Sequence, residues 1–158
     1  MFRYALAIGP LLISTAALSD GKDASYYCTS QLSAGLVFDL QTKQWKHAFL
    51  KPDKAFVLRL HYLGDKPDWV DVQRYSVTIT LQGSNDGQTC VSGDRNAGKG
   101  EVNVYLNKDI ECWTTFGLYK FNLVNNRFLN FYPHGYIEGN DDGKDTPSVD
   151  AGTCTLIQ

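Results

Sequence analysis

Residues 55–63 read "AFVLRLHYL", and the alternation in this stretch decides the fold. Phe56, Leu58, Leu60 and Tyr62 fall on one side of an extended chain, and Val57, Arg59, His61 and Leu63 on the other. A helix gathers its apolar residues at every third or fourth position, whereas a strand alternates, so this spacing predicts a strand with one dry face. The same period recurs on both sides of it. "SVTITLQG" (76–83) offers Val77, Ile79 and Leu81, and "EVNVYLN" (101–107) offers Val102, Val104 and Leu106. In "GLVFDL" (35–40), Leu36, Phe38 and Leu40 form the expected dry side, with Val37 and Asp39 opposite.

Turn signals separate these runs: "GD" at 64–65, "SNDG" at 84–87, "NKD" at 107–109 and "GNDDGKDTP" at 139–147. "KPDKAF" (51–56) also reads as a turn. In "GLYKFNLVNNRFLNFY" (117–132), Asn125 and Asn126 supply the positive φ angles of a tight primed hairpin turn. Eight or nine short strands joined by short polar loops predict an all-β antiparallel meander that closes, or nearly closes, into a barrel. A two-sheet sandwich is the alternative.

The chain opens with Arg3, an apolar run from about Tyr4 to Ala17, and the small-x-small triplet Ala17-Leu18-Ser19. This is the form of a secretory signal peptide over residues 1–19. The run is broken by Gly9-Pro10 and falls short of the length of a membrane span. Residues 20–158 then form a single domain, expected in the bacterial periplasm or outside the cell, with no membrane span of its own. The four cysteines of that domain, Cys28, Cys90, Cys112 and Cys154, are an even count in an exported chain, which predicts two disulfides. Three pairings are possible. The favoured one joins Cys90 to Cys112 as a local loop and Cys28 to Cys154 as a tie between the first and last strands.

The formal charge is −2, too near neutral for a nucleic-acid binder. "GDRNAGKG" (93–100) has the glycine and lysine spacing of a phosphate-binding loop, but Gly100 stands where a hydroxyl must hold magnesium. A strand pattern also follows it where a helix is required. It is therefore expected to be a hairpin connection, with no nucleotide bound. No nucleophile elbow, carboxylate pair or clustered set of histidines is present, so the chain is not expected to be an enzyme, and no cofactor is implied. Hard calcium favours loops rich in oxygen, which makes Asp141, Asp142 and Asp145 the one weak metal candidate in an otherwise solvated turn. The aromatic residues carry more information. They either fill the core or line a ligand site. If they line one, Trp45, Phe56 and Trp113 are the residues expected to surround it.

"YYC" (26–28), "GLVFDLQTKQWKHAFL" (35–50), "KAFVLRL" (54–60) and the run from Gly117 to Cys154 together resemble a group of small exported bacterial β-rich proteins of unknown function. That group shares an early Cys, a G-[FL]-x-F-x-x-x-T-K-x-W segment, a G-x-[FY]-x-F-N hairpin and a terminal G-Y…D-T-P…G-x-C. The resemblance implies export and a single domain, and it brings no activity. Lipocalins are similar as exported meander barrels, but their G-x-W is missing. Periplasmic lysozyme inhibitors are similar in size and disulfide use, but "SGDRN" (92–96) has Asn96 where their loop carries Tyr. The expected function is a binding module for a small apolar ligand. The alternative is a protein-protein interaction or enzyme-inhibitor module, acting on another exported protein through a surface loop.

Overall fold

A computed structural model describes residues 21–158, so the expected signal peptide lies outside the described residues. The described chain has no helix. Its strands are β1 (Ala24–Asp39), β2 (Gln44–Phe49), β3 (Ala55–Asp65), β4 (Gln73–Leu81), β5 (Gly87–Thr89), β6 (Val91–Ser92), β7 (Val102–Val104), β8 (Asp109–Thr114), β9 (Gly117–Asn122), β10 (Arg127–Tyr132) and β11 (Ser148–Leu156). They form one antiparallel sheet in the order β5-β4-β3-β1-β11-β10-β9-β8-β6, with β2 on β1 and β7 on β4.

This sheet is a nearly closed barrel with a single seam. Residues 87–92 cross the seam. The N–H of Cys90 donates to the Val77 carbonyl at 2.8 Å, while Val91 and Ser92 pair with Trp113 and Cys112. The Cys90–Cys112 disulfide ties the crossing segment to β8. Cys28 and Cys154 face each other in register on β1 and β11 and form the second disulfide. Both expected pairings are present, and two disulfides in so small a fold are compatible with an oxidising location outside the cytoplasm.

The period of two places the core. Phe56, Leu58 and Leu60 of β3 and Val77 and Ile79 of β4 are all buried. In the centre, the Phe56 ring meets Phe128 at 4.9 Å, Tyr119 at 5.3 Å and Phe121 at 6.0 Å between centroids. These four rings fill the middle of the barrel. Gly152 makes room for them: a Cβ there would stand 2.6 Å from Phe128 Cε1 and 2.1 Å from the Thr29 carbonyl oxygen.

Four local expectations are corrected. The register of β1 against β11 shifts between Ser30 and Leu32, and this bulge reverses which parity points inward. Ala24, Tyr26 and Cys28 are buried before it and Ser33 after it, so Leu36, Phe38 and Leu40 do not form a core face. They belong instead to a β1–β2 hairpin, in which Phe38 pairs with Trp45. Leu106 is exposed because β7 ends at Val104. The β9–β10 loop spans four residues, 123–126, and only Asn126 takes a positive φ, of 53°. "GDRNAGKG" is not a hairpin turn, since β6 pairs with β8 and β7 with β4.

Candidate functional site at the barrel mouth

Cross-strand register lines up one inward-facing layer near the end of the barrel where β1 and β11 extend beyond the core. Ser33 on β1 lies opposite Asp150 on β11, Asp150 opposite Asn130 on β10, Asn130 opposite Tyr119 on β9, and Tyr119 opposite Cys112 on β8. Three successive members of this layer are polar and buried, with Asp150 only 2% exposed and Asn130 1%.

Lys54 enters this layer from the other side of β1. The chain between β2 and β3 runs along β1, where Leu50 N–H donates to the Ser33 carbonyl and Ser30 N–H to the Lys54 carbonyl, each at 2.9 Å. Lys54 Nζ then lies 2.6 Å from Asp150 Oδ2 and 3.3 Å from Asn130 Oδ1. Asn130 Nδ2 donates to the carbonyls of Phe116 and Leu118. Burial, with the nearby Asp150 carboxylate as the smaller cause, pushes the Tyr119 phenol well above its ordinary pKa.

Above this floor opens a cavity of about 630 Å³. Leu50, Leu81, Phe116 and Tyr132 form much of its wall, so it is an apolar cup with an ion pair at its base. At the rim, the Tyr132 hydroxyl donates to Asp145 Oδ1 at 3.1 Å; burial foremost, then this bond, raises the phenol's pKa. Lys51 and Asp53 also line it, so the arrangement can shelter an apolar body while presenting two cations and two anions. No protein family, curated protein or solved structure matches the chain.

The residues singled out from the sequence are not brought together. Phe56 is in the closed core. Trp45 is on the β1–β2 hairpin, between Phe38 and Tyr136 at 5.4 Å each, with its Nε1–H donated to Asp141 Oδ1 at 2.7 Å. Trp113 points outward from β8 and is 43% exposed. The three do not line a common space.

The acidic loop is likewise divided. Asp141 accepts from Trp45, Asp142 accepts from the Lys144 backbone N–H at 3.0 Å and pairs with its Nζ at 3.2 Å, and Asp145 serves Tyr132. Among the described residues, no three His, Cys, Asp or Glu side chains are grouped to hold a metal ion. In the glycine-rich loop, Asp94 Oδ2 accepts from Asn103 Nδ2 and the Tyr105 hydroxyl at 2.7 Å each, and the loop runs into the strand β7.

Lys54, Asp150, Asn130 and Ser33 belong to no motif in the sequence. One signal was present: in "RFLNFY" (127–132) a polar Asn130 alternates with Phe128 and Tyr132. It was ambiguous because Leu129 and Phe131 make the other parity equally apolar.

Proposed function

We propose that this protein is an exported binding module, acting in the periplasm or outside the cell, that holds a small and mainly apolar molecule in the mouth of its barrel. The carrying observation is the Lys54–Asp150 pair, with its carboxylate buried and its ammonium part-exposed, at the base of an apolar cup. Placing a carboxylate out of water beside a lysine adds little net stability compared with apolar packing, so its presence at the floor of a cavity is better explained by recognition. The ligand has an apolar body that rests on Phe116, Leu81 and Leu50, and one polar or charged head that reaches Lys54 and Asp150. The aromatic filling of the barrel centre sets the depth, so the ligand occupies the mouth rather than the interior.

The test uses anilinonaphthalene sulfonate, an apolar dye with one anionic head. Wild-type protein is expected to bind one dye molecule with enhanced fluorescence, and Leu50→Asp and Lys54→Met are each expected to weaken it. Binding by both variants as strong as that of wild type, or no binding by wild type, would overturn the assignment. Native mass spectrometry of protein taken from its own host adds a second readout, since a retained ligand appears as mass lost on unfolding.

A further inference from the structure

The outside of the barrel carries an apolar stripe that the alternation of the strands does not require. Directly beside the buried polar layer, but facing outward, register joins Val91 on β6 to Trp113 on β8, Trp113 to Leu118 on β9, Leu118 to Phe131 on β10, Phe131 to Val149 on β11 and Val149 to Ala34 on β1. Six adjacent strands thus present an apolar residue at the same height. At a strand spacing of about 4.8 Å the stripe is about 24 Å long. Val91 is 64% exposed, Val149 and Trp113 are exposed as well, and Leu118 and Phe131 between them are half-buried. A solvated outer face normally alternates to polar residues, and a continuous exposed apolar patch marks a contact surface.

The neighbouring outward row identifies the occupant. Two residues along from Trp113 and Leu118 stand Glu111 and Lys120, paired in register and 2.7 Å apart as an ion pair. A two-fold axis parallel to the strands and running between β8 and β9 exchanges these two positions. Lys120 of one molecule then faces Glu111 of the other, Trp113 faces Leu118, and Val91 faces Phe131. The patch is its own complement in charge, and its apolar residues face apolar residues. It carries equal numbers of cations and anions at its border, so it lacks the cationic excess that attracts an anionic membrane surface. We infer that the outer face of β6, β8, β9 and β10 is where a second copy of this chain docks, as an isologous dimer.

The experiment is sedimentation velocity of residues 20–158 from micromolar to sub-millimolar concentration. Wild type is expected to show a concentration-dependent dimer. Lys120→Glu or Glu111→Lys alone sets like charges opposite one another and is expected to raise the dissociation constant at least about tenfold; the double reversal is expected to regain wild-type association. Trp113→Lys, and independently the milder Val91→Ser, should shift the protein to monomer with its folding transition retained. A monomer throughout, a dimer undisturbed by Trp113→Lys and Val91→Ser, or a double reversal that stays monomeric overturns the inference. Monomeric protein that floats with phosphatidylcholine vesicles also overturns it, since lipid would then be the occupant. Dye binding at the mouth is expected to survive all these variants, which separates failure here from failure of the mouth assignment.

Discussion

Lys54 Nζ stands 2.6 Å from Asp150 Oδ2 at the mouth of the barrel, the two approaching from either side of β1, although 96 residues separate them in the chain. Asp150 is buried and Lys54 is part-exposed, so the pair has one foot in the protein and one at the opening.

Removing one partner leaves the other uncompensated. Lys54→Met strands a buried carboxylate and is expected to cost about 2 to 3 kcal/mol, below the usual range for breaking a fully buried pair because the mouth admits water. Lys54→Met with Asp150→Leu is expected to recover most of that loss. Urea denaturation of the two variants measures the difference. A single variant as stable as wild type would show that the pair is solvated.

The two disulfides are expected to contribute unequally. Cys28–Cys154 closes a separation of 126 residues and Cys90–Cys112 one of 22. In the chain-entropy account these correspond to about 5 and about 3 kcal/mol. Denaturant midpoints of the two double Cys→Ala variants provide the check, with the Cys28/Cys154 variant expected to be the weaker.

Gly152→Ala is expected to disrupt the barrel. Its Cβ would meet the Thr29 carbonyl oxygen at 2.1 Å, and neither strand can retreat without breaking the β1–β11 ladder at the Thr29–Thr153 and Ser30–Gly152 pairs. Gly139→Ala, at φ +71° but with open space around it, is expected to cost only about 1 kcal/mol, from backbone strain alone. Comparable melting curves for the two variants would contradict the packing argument.

Alkali is expected to unfold the protein through its phenols. Burial first, and Tyr75 second, push Tyr26 up to about 12 from the ordinary 10.0, and a hydrogen bond to Asp65 followed by burial does the same for Tyr62. Tyr119 moves in the same direction. A folded-state pKa above the unfolded one means that the stabilisation is complete below pH 10 and declines as the pH rises towards 12. Ultraviolet titration should show some tyrosines ionising only together with loss of circular dichroism; smooth ionisation of all of them without unfolding would count against it.

The hairpin tip responds at the opposite end of the scale. Lys46 beside Asp39, together with the N–H groups of Thr42 and Gln41, holds the Asp39 carboxyl far below its ordinary value. Its contribution is therefore present above the unfolded pKa of 3.8 and is lost only as the pH falls through the lower folded value. Asp39→Asn is expected to loosen amide-exchange protection in residues 36–47 at neutral pH, with β3 and β4 unaffected.

The sequence by itself determined the class of the fold. Alternation in "AFVLRLHYL" and "SVTITLQG" set which residues of β3 and β4 face inward, because a strand whose two faces differ in polarity has only one orientation that keeps its apolar side dry. The even cysteine count and spacing led to the observed pairings for a similar reason: the first and last strands of a barrel are neighbours. Only the tertiary structure decided where the sites lie. In β10 both parities are apolar, so the inward position of Asn130 and the outward position of Phe131 followed from register against β9 and β11. In β1 a bulge at residues 30–32 exchanged the two faces partway along, which no periodicity on one side of it reports. Lys54 and Asp150 met because β1 pairs with β3 on one side and with β11 on the other, and long-range pairing of that kind depends on the whole ladder rather than on any local stretch of chain.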